Sequence, residues 1–472
     1  MKTSVYKILF FAFIILTSSI SCRKFIEIDP PIQSVDQKDV FSNNSTAASA
    51  LAGIYLDMNA SVMSGSNSIS VFSAFSADEL ISNDDLNPFY KNNVTENGPA
   101  WGSLYSHIFG VNSIIEGAQK SYGISENVKR ELIFQSKFLR AFYYFYLVNL
   151  YGGVPLVSST DFKTNSRLPR ATEEQVYDFI INDLLEAQNN LGDKYVASNL
   201  TSLSNERYYA NKYAATALLA RVYLYKEKWV EAESASTSII ENPLYKLTAL
   251  DDVFRKNSLE AILQIDNVGG KNTEEGGFFL PLGSGMVPNA FCGKSLLDNF
   301  QNDDRRKYKW IDTNIIIDPI MNDTLGIYYF PFKYKRSVFE IGGEQEYLMI
   351  LRLAEQYLIR AEARVKLGDL DGARADLNKI RNRAGLANTV TNTRDLLIKE
   401  VLAERRVELF SEWGHRWFDL KRTKTIDAVM NEAHKTKGGV WLSYKSLYPI
   451  PLKEFKTNSS LLGHQNPGYR EM

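Results

Sequence analysis

The sequence predicts a mainly α-helical protein whose helices carry one loop-rich region with short strands. Apolar residues recur at helical spacing along most of the chain, which is typical of helices that bury one face. This period is found in residues 46–58, 101–120, 131–151, 173–191, 211–226, 230–241, 348–367, 370–384 and 394–421. It disappears between residues 243 and 347, where glycines and short β-rich runs take its place.

The loop-rich region over residues 243–347 is predicted from its glycine pairs, such as Gly269-Gly270 and Gly342-Gly343. Glycine pairs mark turns and loops. Residues 261–265 and 313–317 are short runs rich in apolar and β-branched side chains, so we predict a small strand at each. The region is therefore interpreted as loops and small strands laid on a helical scaffold.

Small and aromatic residues occur twice at the spacings of a tetratricopeptide helix pair. The two sets are Ala220, Tyr223, Trp229 and Ala232, and Ala361, Gly368, Leu370, Ala373 and Leu377. Small residues allow antiparallel helices to approach closely, and we expect Tyr223 to fill the groove between its two helices. Tetratricopeptide-like helices are thus predicted over residues 131–242 and 348–422, in an irregular array.

The N-terminus has the layout of a secretory signal peptide over residues 1–21. Lys2 and Lys7 form a short positive region, the apolar run Ile8–Leu16 follows, and small residues then lead to Cys22. A cysteine in that place resembles the lipobox of bacterial lipoproteins, in which the signal is cut before the cysteine and the cysteine is acylated. We therefore predict that Cys22 anchors the protein in lipid. The alternative is a secreted protein with an unmodified cysteine.

Beyond the cysteine, residues 22–35 are predicted to be an extended tether, because Pro30-Pro31 disfavours helix. Residues 36–472 then form the folded domain. If Cys22 is acylated, Cys292 has no partner for a disulfide within the chain. The net charge of −1 at pH 7 gives no electrostatic reason to expect nucleic acid as a partner.

The acidic residues do not form a convincing catalytic pair. Glu404 and Glu408 lie four residues apart on one predicted helix, as a hydrolase could require. However, Arg405, Arg406 and Arg416 are near in sequence, and they are expected to hold Glu404 ionised in a structural ion pair. We therefore predict a protein without catalytic activity.

No cofactor or transition-metal site is predicted either, because the four histidines have no metal-ligand spacing. The run Asn302-Asp303-Asp304 leaves a Ca²⁺ loop open. Arg305-Arg306, which follows directly, favours an ion-pair turn instead.

Aromatic residues make up 12% of the chain and support a binding function. Sugar rings stack on aromatic faces while polar neighbours bind the hydroxyl groups. Aromatic residues on helical stripes are assigned to the core, so the candidates come from segments without a helical period. The predicted ligand-binding residues are Asp85, Phe89, Tyr90, Asn92, Tyr308, Trp310 and Tyr328.

Several longer stretches resemble the SusD/RagB family. These are residues 138–144 and 151–156, residues 167–170, the helix over 402–409 that continues to 415–422, and the closing stretches 448–451 and 465–469. Together with the lipobox and the tether, they extend the resemblance over nearly the whole mature chain. It is weakest in the loop-rich region.

The resemblance implies an α-helical, tetratricopeptide-containing lipoprotein on the outer membrane that faces the cell surface. Members of the family act as lids on SusC-like TonB-dependent barrels and bind oligosaccharides, or peptides in some cases, without catalysis or a cofactor. Capture of a glycan for such a barrel is therefore the leading hypothesis. A lipid-anchored tetratricopeptide scaffold is the alternative, followed by a surface hydrolase.

Overall fold

The fold is described by a computed structural model that covers residues 37–59, 63–95, 98–340 and 342–470. It is 52% helix and 9% strand, which confirms the prediction of a mainly α-helical protein. The predicted signal peptide, Cys22 and the tether lie outside the described residues. Within the described ranges, no helix combines the length and the apolar character needed to cross a bilayer.

The helices are numbered in chain order. They are Gln37–Val40 (α1), Asn44–Asn59 (α2), Ile69–Ser76 (α3), Trp101–Lys120 (α4), Glu126–Tyr151 (α5), Phe162–Asn165 (α6), Glu173–Asn190 (α7), Lys212–Tyr225 (α8), Trp229–Ile240 (α9), Glu274–Phe279 (α10), Lys294–Leu297 (α11), Arg305–Lys309 (α12), Leu353–Leu367 (α13), Leu370–Arg383 (α14), Arg394–Glu408 (α15), His415–Arg422 (α16), Ile426–Lys437 (α17) and Leu452–Thr457 (α18).

The strands are short and pair two by two. They are Leu80–Ser82 (β1), Tyr195–Val196 (β2), Leu203–Ser204 (β3), Ala261–Ile265 (β4), Ala290–Cys292 (β5), Ile311–Ile317 (β6), Thr324–Pro331 (β7) and Leu348–Arg352 (β8). The antiparallel pairs are β1 with β5, β2 with β3, β4 with β8 and β6 with β7. The strands predicted over 261–265 and 313–317 are confirmed, and the second one begins two residues earlier.

Helix α5 forms the centre of the core. All of its residues from Phe138 to Tyr151 are buried, as expected of a helix enclosed on every side. Arg140 within this stretch donates to both carboxylate oxygens of Asp183 on α7, at 2.7 and 2.8 Å, which ties the two helices together. Thr172 begins α7 with a capping box in which Gln175 is the reciprocal partner.

Both predicted helix pairs are present, as α8 with α9 and α13 with α14. Gly368 ends α13 with a φ of 93°, a left-handed conformation that favours glycine. The pairs are distant in sequence but adjacent in space, because Ala220 and Ala232 pack in one apolar cluster with Ile359 and Ala363 of α13. Tyr223 packs against this cluster, as predicted, but it is only half-buried, which corrects its assignment to the core.

Charged side chains fill a second interior region, where the loop-rich region meets the C-terminal helices. We call it the buried ion cluster, and it comprises Glu260, Asp304, Arg306, Lys333, Arg352, Arg383, Glu404, Glu408 and Glu412. Arg352 at the end of β8 reaches Glu260, Glu408 and Glu412 at 2.6 to 3.0 Å. The cluster therefore fixes β8 and α12 against α15.

Candidate functional site

The candidate site begins where β1 ends. Ile81 of β1 pairs with Phe291 of β5, and the Asn83 amide donates to the Asn289 carbonyl at 3.2 Å. The chain then turns outward through Asp84 and Asp85, which are both exposed. This pairing brings the acidic loop after β1 next to a strand from the loop-rich region, more than 200 residues later in the sequence.

The β6–β7 hairpin lies beside β5. Tyr328 of β7 contacts Phe291 edge to face, with ring centroids 5.0 Å apart. Asn314 of β6 donates its side-chain amide to the carbonyls of Met286 and Gly283, at 2.6 and 3.3 Å. Gly326 leaves the space in which the Tyr328 ring lies, because a Cβ there would be 2.7 Å from its Cε2 atom. We call residues 81–85, Tyr90, Phe291 and Tyr328 the β1 face.

A small pocket of about 120 Å³ adjoins the acidic loop. It is lined by Asp78, Leu80, Ile81, Tyr90, Gly293, Lys294, Ser295, Ala433, Thr436 and Lys437. The Tyr90 ring has the ammonium groups of Lys437 and Lys91 at 5.1 and 5.3 Å from its centroid. The pocket thus combines an aromatic ring and aliphatic side chains with a few polar groups, which is the usual composition of a small-molecule site.

Burial determines the electrostatics of this pocket. Burial lowers the pKa of Lys437 to about 7, and its ammonium group is held by the carbonyls of Phe75 and Ser76, at 2.6 and 3.1 Å. Burial also raises the pKa of the Tyr90 hydroxyl, and the negative charge of Asp85 raises it further. Tyr90 therefore stays a neutral hydroxyl that can donate a hydrogen bond at physiological pH.

The structure brings together only some of the predicted ligand-binding residues. Asp85 is exposed, Tyr328 is half-buried against Phe291, and Tyr90 lines the pocket although only 5% of it is exposed. Tyr308 is 69% exposed on α12, where its hydroxyl donates to the Asn302 carbonyl. Its place among the binding residues stays a prediction.

Phe89 and Asn92 have structural contacts. Phe89 stacks on Phe72 with centroids 5.3 Å apart and meets the edge of Tyr448. The Asn92 side chain donates to the Ser76 carbonyl at 2.9 Å and accepts from His434 Nε2 at 3.0 Å. Asn92 is buried and its side chain is used in these contacts, which corrects the prediction that it contacts a ligand. Phe89 is half-buried, and its place among the binding residues stays a prediction.

Trp310 is also not a surface residue. Its ring is 0% exposed, and its indole N–H donates to the Leu250 carbonyl at 2.9 Å. Lys333 and Arg383 of the buried ion cluster lie over the ring, at 4.9 and 5.7 Å from its centroid. Trp310 therefore has no face to offer a ligand, which corrects that prediction as well.

The carboxylates weighed for catalysis are parts of the ion cluster. Glu404 and Glu408 are both bound by the guanidinium group of Arg306, at 2.6 and 2.9 Å. A structural ion pair is confirmed for Glu404, but its partners are Arg306 and Arg381, not the arginines near it in sequence. Burial raises the pKa of Glu404 despite the opposing charge of Arg306, although neighbouring arginines were expected to keep it from rising.

The arginines near Glu404 have other roles. Arg406 and Arg416 both bind the buried Asp78, at 2.7 and 2.8 Å, and so fasten the start of β1 to α15 and α16. In the part of the chain that the structure describes, His, Cys, Asp and Glu side chains form no group of three that could hold a metal ion.

Sequence reasoning missed Phe291, Lys294 and Lys437. Phe291 lies in the loop-rich region and has the signal used for the other candidates, an aromatic residue outside any helical period. Lys437 ends α17, and nothing in its sequence neighbourhood indicates that it meets Tyr90 from far along the chain.

Comparison with known families matches both halves of the chain. The SusD family model matches residues 301–469. A second SusD-like model, described as starch-binding and associating with the outer membrane, matches residues 24–224. The chain belongs to the SusD/RagB family.

Relatives of this SusD/RagB member resemble it over most of their length. The SusD-like protein P38 of Formosa agariphila is 25% identical over 470 residues, which cover 87% of this chain and 90% of the relative. A SusD superfamily protein of Parabacteroides distasonis has the same fold, with a TM-score of 0.75 and 22% identity over 90% of this chain and 99% of the other. A laminarin-binding SusD-like protein has a TM-score of 0.72 and 23% identity over 90% of this chain and 100% of the other.

Proposed function

We propose that this protein captures an oligosaccharide at the cell surface and delivers it to a SusC-like TonB-dependent barrel in the outer membrane. Membership of a family whose model is described as starch-binding supports the ligand class, as does the laminarin-binding protein of the same fold. The same family description names association with the outer membrane, which supports the proposed location of the protein.

The observation that carries the proposal is the pairing of β1 with β5, which forms the β1 face. Asp85 and Asp84 offer exposed carboxylates that accept hydrogen bonds from sugar hydroxyls, and Lys294 adds an exposed donor. The half-exposed ring of Tyr328 gives a sugar ring a surface for stacking. The pocket of about 120 Å³ is smaller than ordinary ligand pockets. An oligosaccharide would therefore lie along the face and insert at most one ring.

We expect Tyr328→Ala to weaken oligosaccharide binding about thirtyfold, or about 2 kcal/mol, because it removes an aromatic anchor. Tyr329→Ala is the matched control. Successive strand residues point to opposite faces, and Tyr329 is exposed on the face away from Phe291. Calorimetric titration of both purified variants measures the difference. Equal affinities for the two variants would show that the β1 face does not bind the sugar.

We expect Cys22→Ala to move the protein from the membrane fraction to the soluble or signal-retaining fraction, because the acyl chains hold it in lipid. Metabolic labelling with a fatty acid should disappear at the same time. Cys292→Ala is the control and should leave the labelling intact, since Cys292 is buried in the folded domain. Labelling that persists in Cys22→Ala would refute the anchor.

A further inference from the structure

A second groove lies over α8, and none of its lining residues belongs to the β1 face. Its volume is about 610 Å³, which is within the ordinary range for ligand sites. Helix α8 forms the floor, and α7 and α9 form the two walls. We call it the α8 groove, and it is lined by Gln188, Asn189, Lys212, Tyr213, Thr216, Leu219, Tyr223, Val230, Glu231, Ser234, Ala235 and Ser238.

The floor of the α8 groove follows from the helical period. Lys212, Thr216, Leu219 and Tyr223 recur at steps of three or four residues, so one stripe of α8 faces the groove. Tyr213 flanks this stripe and is held edge to face against Tyr245, with centroids 5.9 Å apart. The groove explains why Tyr223 is half-exposed, although the repeat pattern assigned it to the core.

Two tyrosine rings therefore stand near opposite ends of one groove. Ten residues separate Tyr213 from Tyr223, which corresponds to a rise of about 15 Å along an α-helix. Both rings are half-buried, so each keeps a fixed position and an accessible surface. An oligosaccharide can span this separation, whereas a single sugar ring cannot.

The walls of the groove are polar and nearly neutral. Gln188 donates its side-chain amide to the Thr216 hydroxyl at 2.8 Å, which orients both groups. Asn189 and the two serines on α9 are exposed to the groove and can bind hydroxyl groups. Lys212 and Glu231 contribute one charge of each sign, so the lining favours an uncharged ligand.

We propose that the α8 groove is a second oligosaccharide-binding site, which takes an extended neutral chain with rings stacked on Tyr213 and Tyr223. The inference rests on the proposed function for its ligand class. It is separate from the β1 face in position, because every lining residue of the groove comes from α7, α8 or α9. A second site on the same molecule would let one long glycan be held at two points and so be released more slowly.

The test is a calorimetric titration of the purified full chain in detergent with maltohexaose and laminarihexaose. We expect two binding events in the wild type. Tyr223→Ala and Tyr213→Ala should both weaken the same one of these two binding events. The expected loss of affinity is about thirtyfold, the usual scale for an aromatic anchor. Ser234→Arg should block the same event by filling the groove, and it removes no buried contact because Ser234 is exposed. Tyr122→Ala is the control, since Tyr122 is fully exposed and outside the groove.

Three results would overturn the inference. The first is a single binding event that depends on Tyr328 and is unchanged in Tyr223→Ala and Ser234→Arg. It would show that the α8 groove binds no sugar, and it would leave the proposed function intact. No binding event with either sugar in a folded wild-type protein would contradict the groove and also count against the proposed function. Loss of barrel co-purification in Ser234→Arg, with sugar affinities unchanged, would assign the groove to a protein partner.

Discussion

Glu408→Ala is expected to lower the free energy of unfolding by about 3–5 kcal/mol, the cost of breaking a buried ion pair from one side. Glu408 is 0% exposed and binds Arg306 and Arg352, at 2.9 and 2.6 Å, as well as Arg383. Its removal leaves these guanidinium groups buried with fewer carboxylates to balance them. Because the cluster joins β8 and α12 to α15, the loss of stability should affect the unfolding of the whole domain.

Denaturant unfolding at neutral pH measures this effect, with Glu126→Ala as the control. Glu126 is exposed and pairs with Lys129 in the first turn of α5, so its removal should change stability by less than about 1 kcal/mol. Equal unfolding midpoints for the two variants would show that the buried ion cluster does not stabilise the fold.

The same cluster predicts a loss of stability in acid. Burial alone would raise the pKa of Glu408, but Arg383, Arg352 and Arg306 hold it well below the usual value of 4.5. Because the folded-state pKa is lower than the unfolded one, the contribution to stability is complete above the unfolded pKa. It is lost as the pH falls through the folded-state pKa. Glu408→Ala should therefore differ from the wild type most at neutral pH and least in strong acid.

Trp310→Ala should also lower the free energy of unfolding by about 3–5 kcal/mol, as expected when a large core side chain is removed. The ring contacts Phe254 edge to face, with centroids 5.8 Å apart, and lies beneath cations of the ion cluster. The affinity of the remaining folded protein for an oligosaccharide should be unchanged, since the ring has no exposed surface.

Tyr308→Ala is the matched control for Trp310→Ala. Tyr308 lies two residues earlier and is largely exposed, so its loss should change the melting temperature little. Thermal unfolding and calorimetry on both variants provide the comparison. A Trp310→Ala protein with normal stability and weakened sugar binding would mean that Trp310 is a binding residue after all.

The sequence was sufficient to predict the helices and their pairing, because both depend on local patterns. Ala220 and Ala232 allow α8 and α9 to approach, and Gly368 ends α13, as their spacing indicated. Tyr223 was misassigned because a repeat pattern identifies a helix pair without showing which face the next element covers. In this fold, that face lies open in the α8 groove.

The candidate binding face was only partly predictable, because it depends on contacts between distant segments. Trp310 lies in a segment without a helical period, yet Lys333 and Arg352 from later in the chain enclose it. Asn92 was predicted to have a free side-chain amide because it lies in a loop. In the fold, its side chain is hydrogen-bonded to His434 of α17, which is distant in sequence. Asp85 and Tyr328 were predicted as separate loop residues, and the β1–β5 pairing that brings their segments together has no local signal.

The central claim is that the folded protein binds an oligosaccharide, and direct titration of the purified full chain with a panel of neutral oligosaccharides tests it. We predict saturable binding to at least one member of the panel, weakened about thirtyfold in Tyr328→Ala and unchanged in Tyr329→Ala. A wild-type protein that unfolds cooperatively but binds no oligosaccharide in the panel, or that binds one equally well in both variants, would contradict the account.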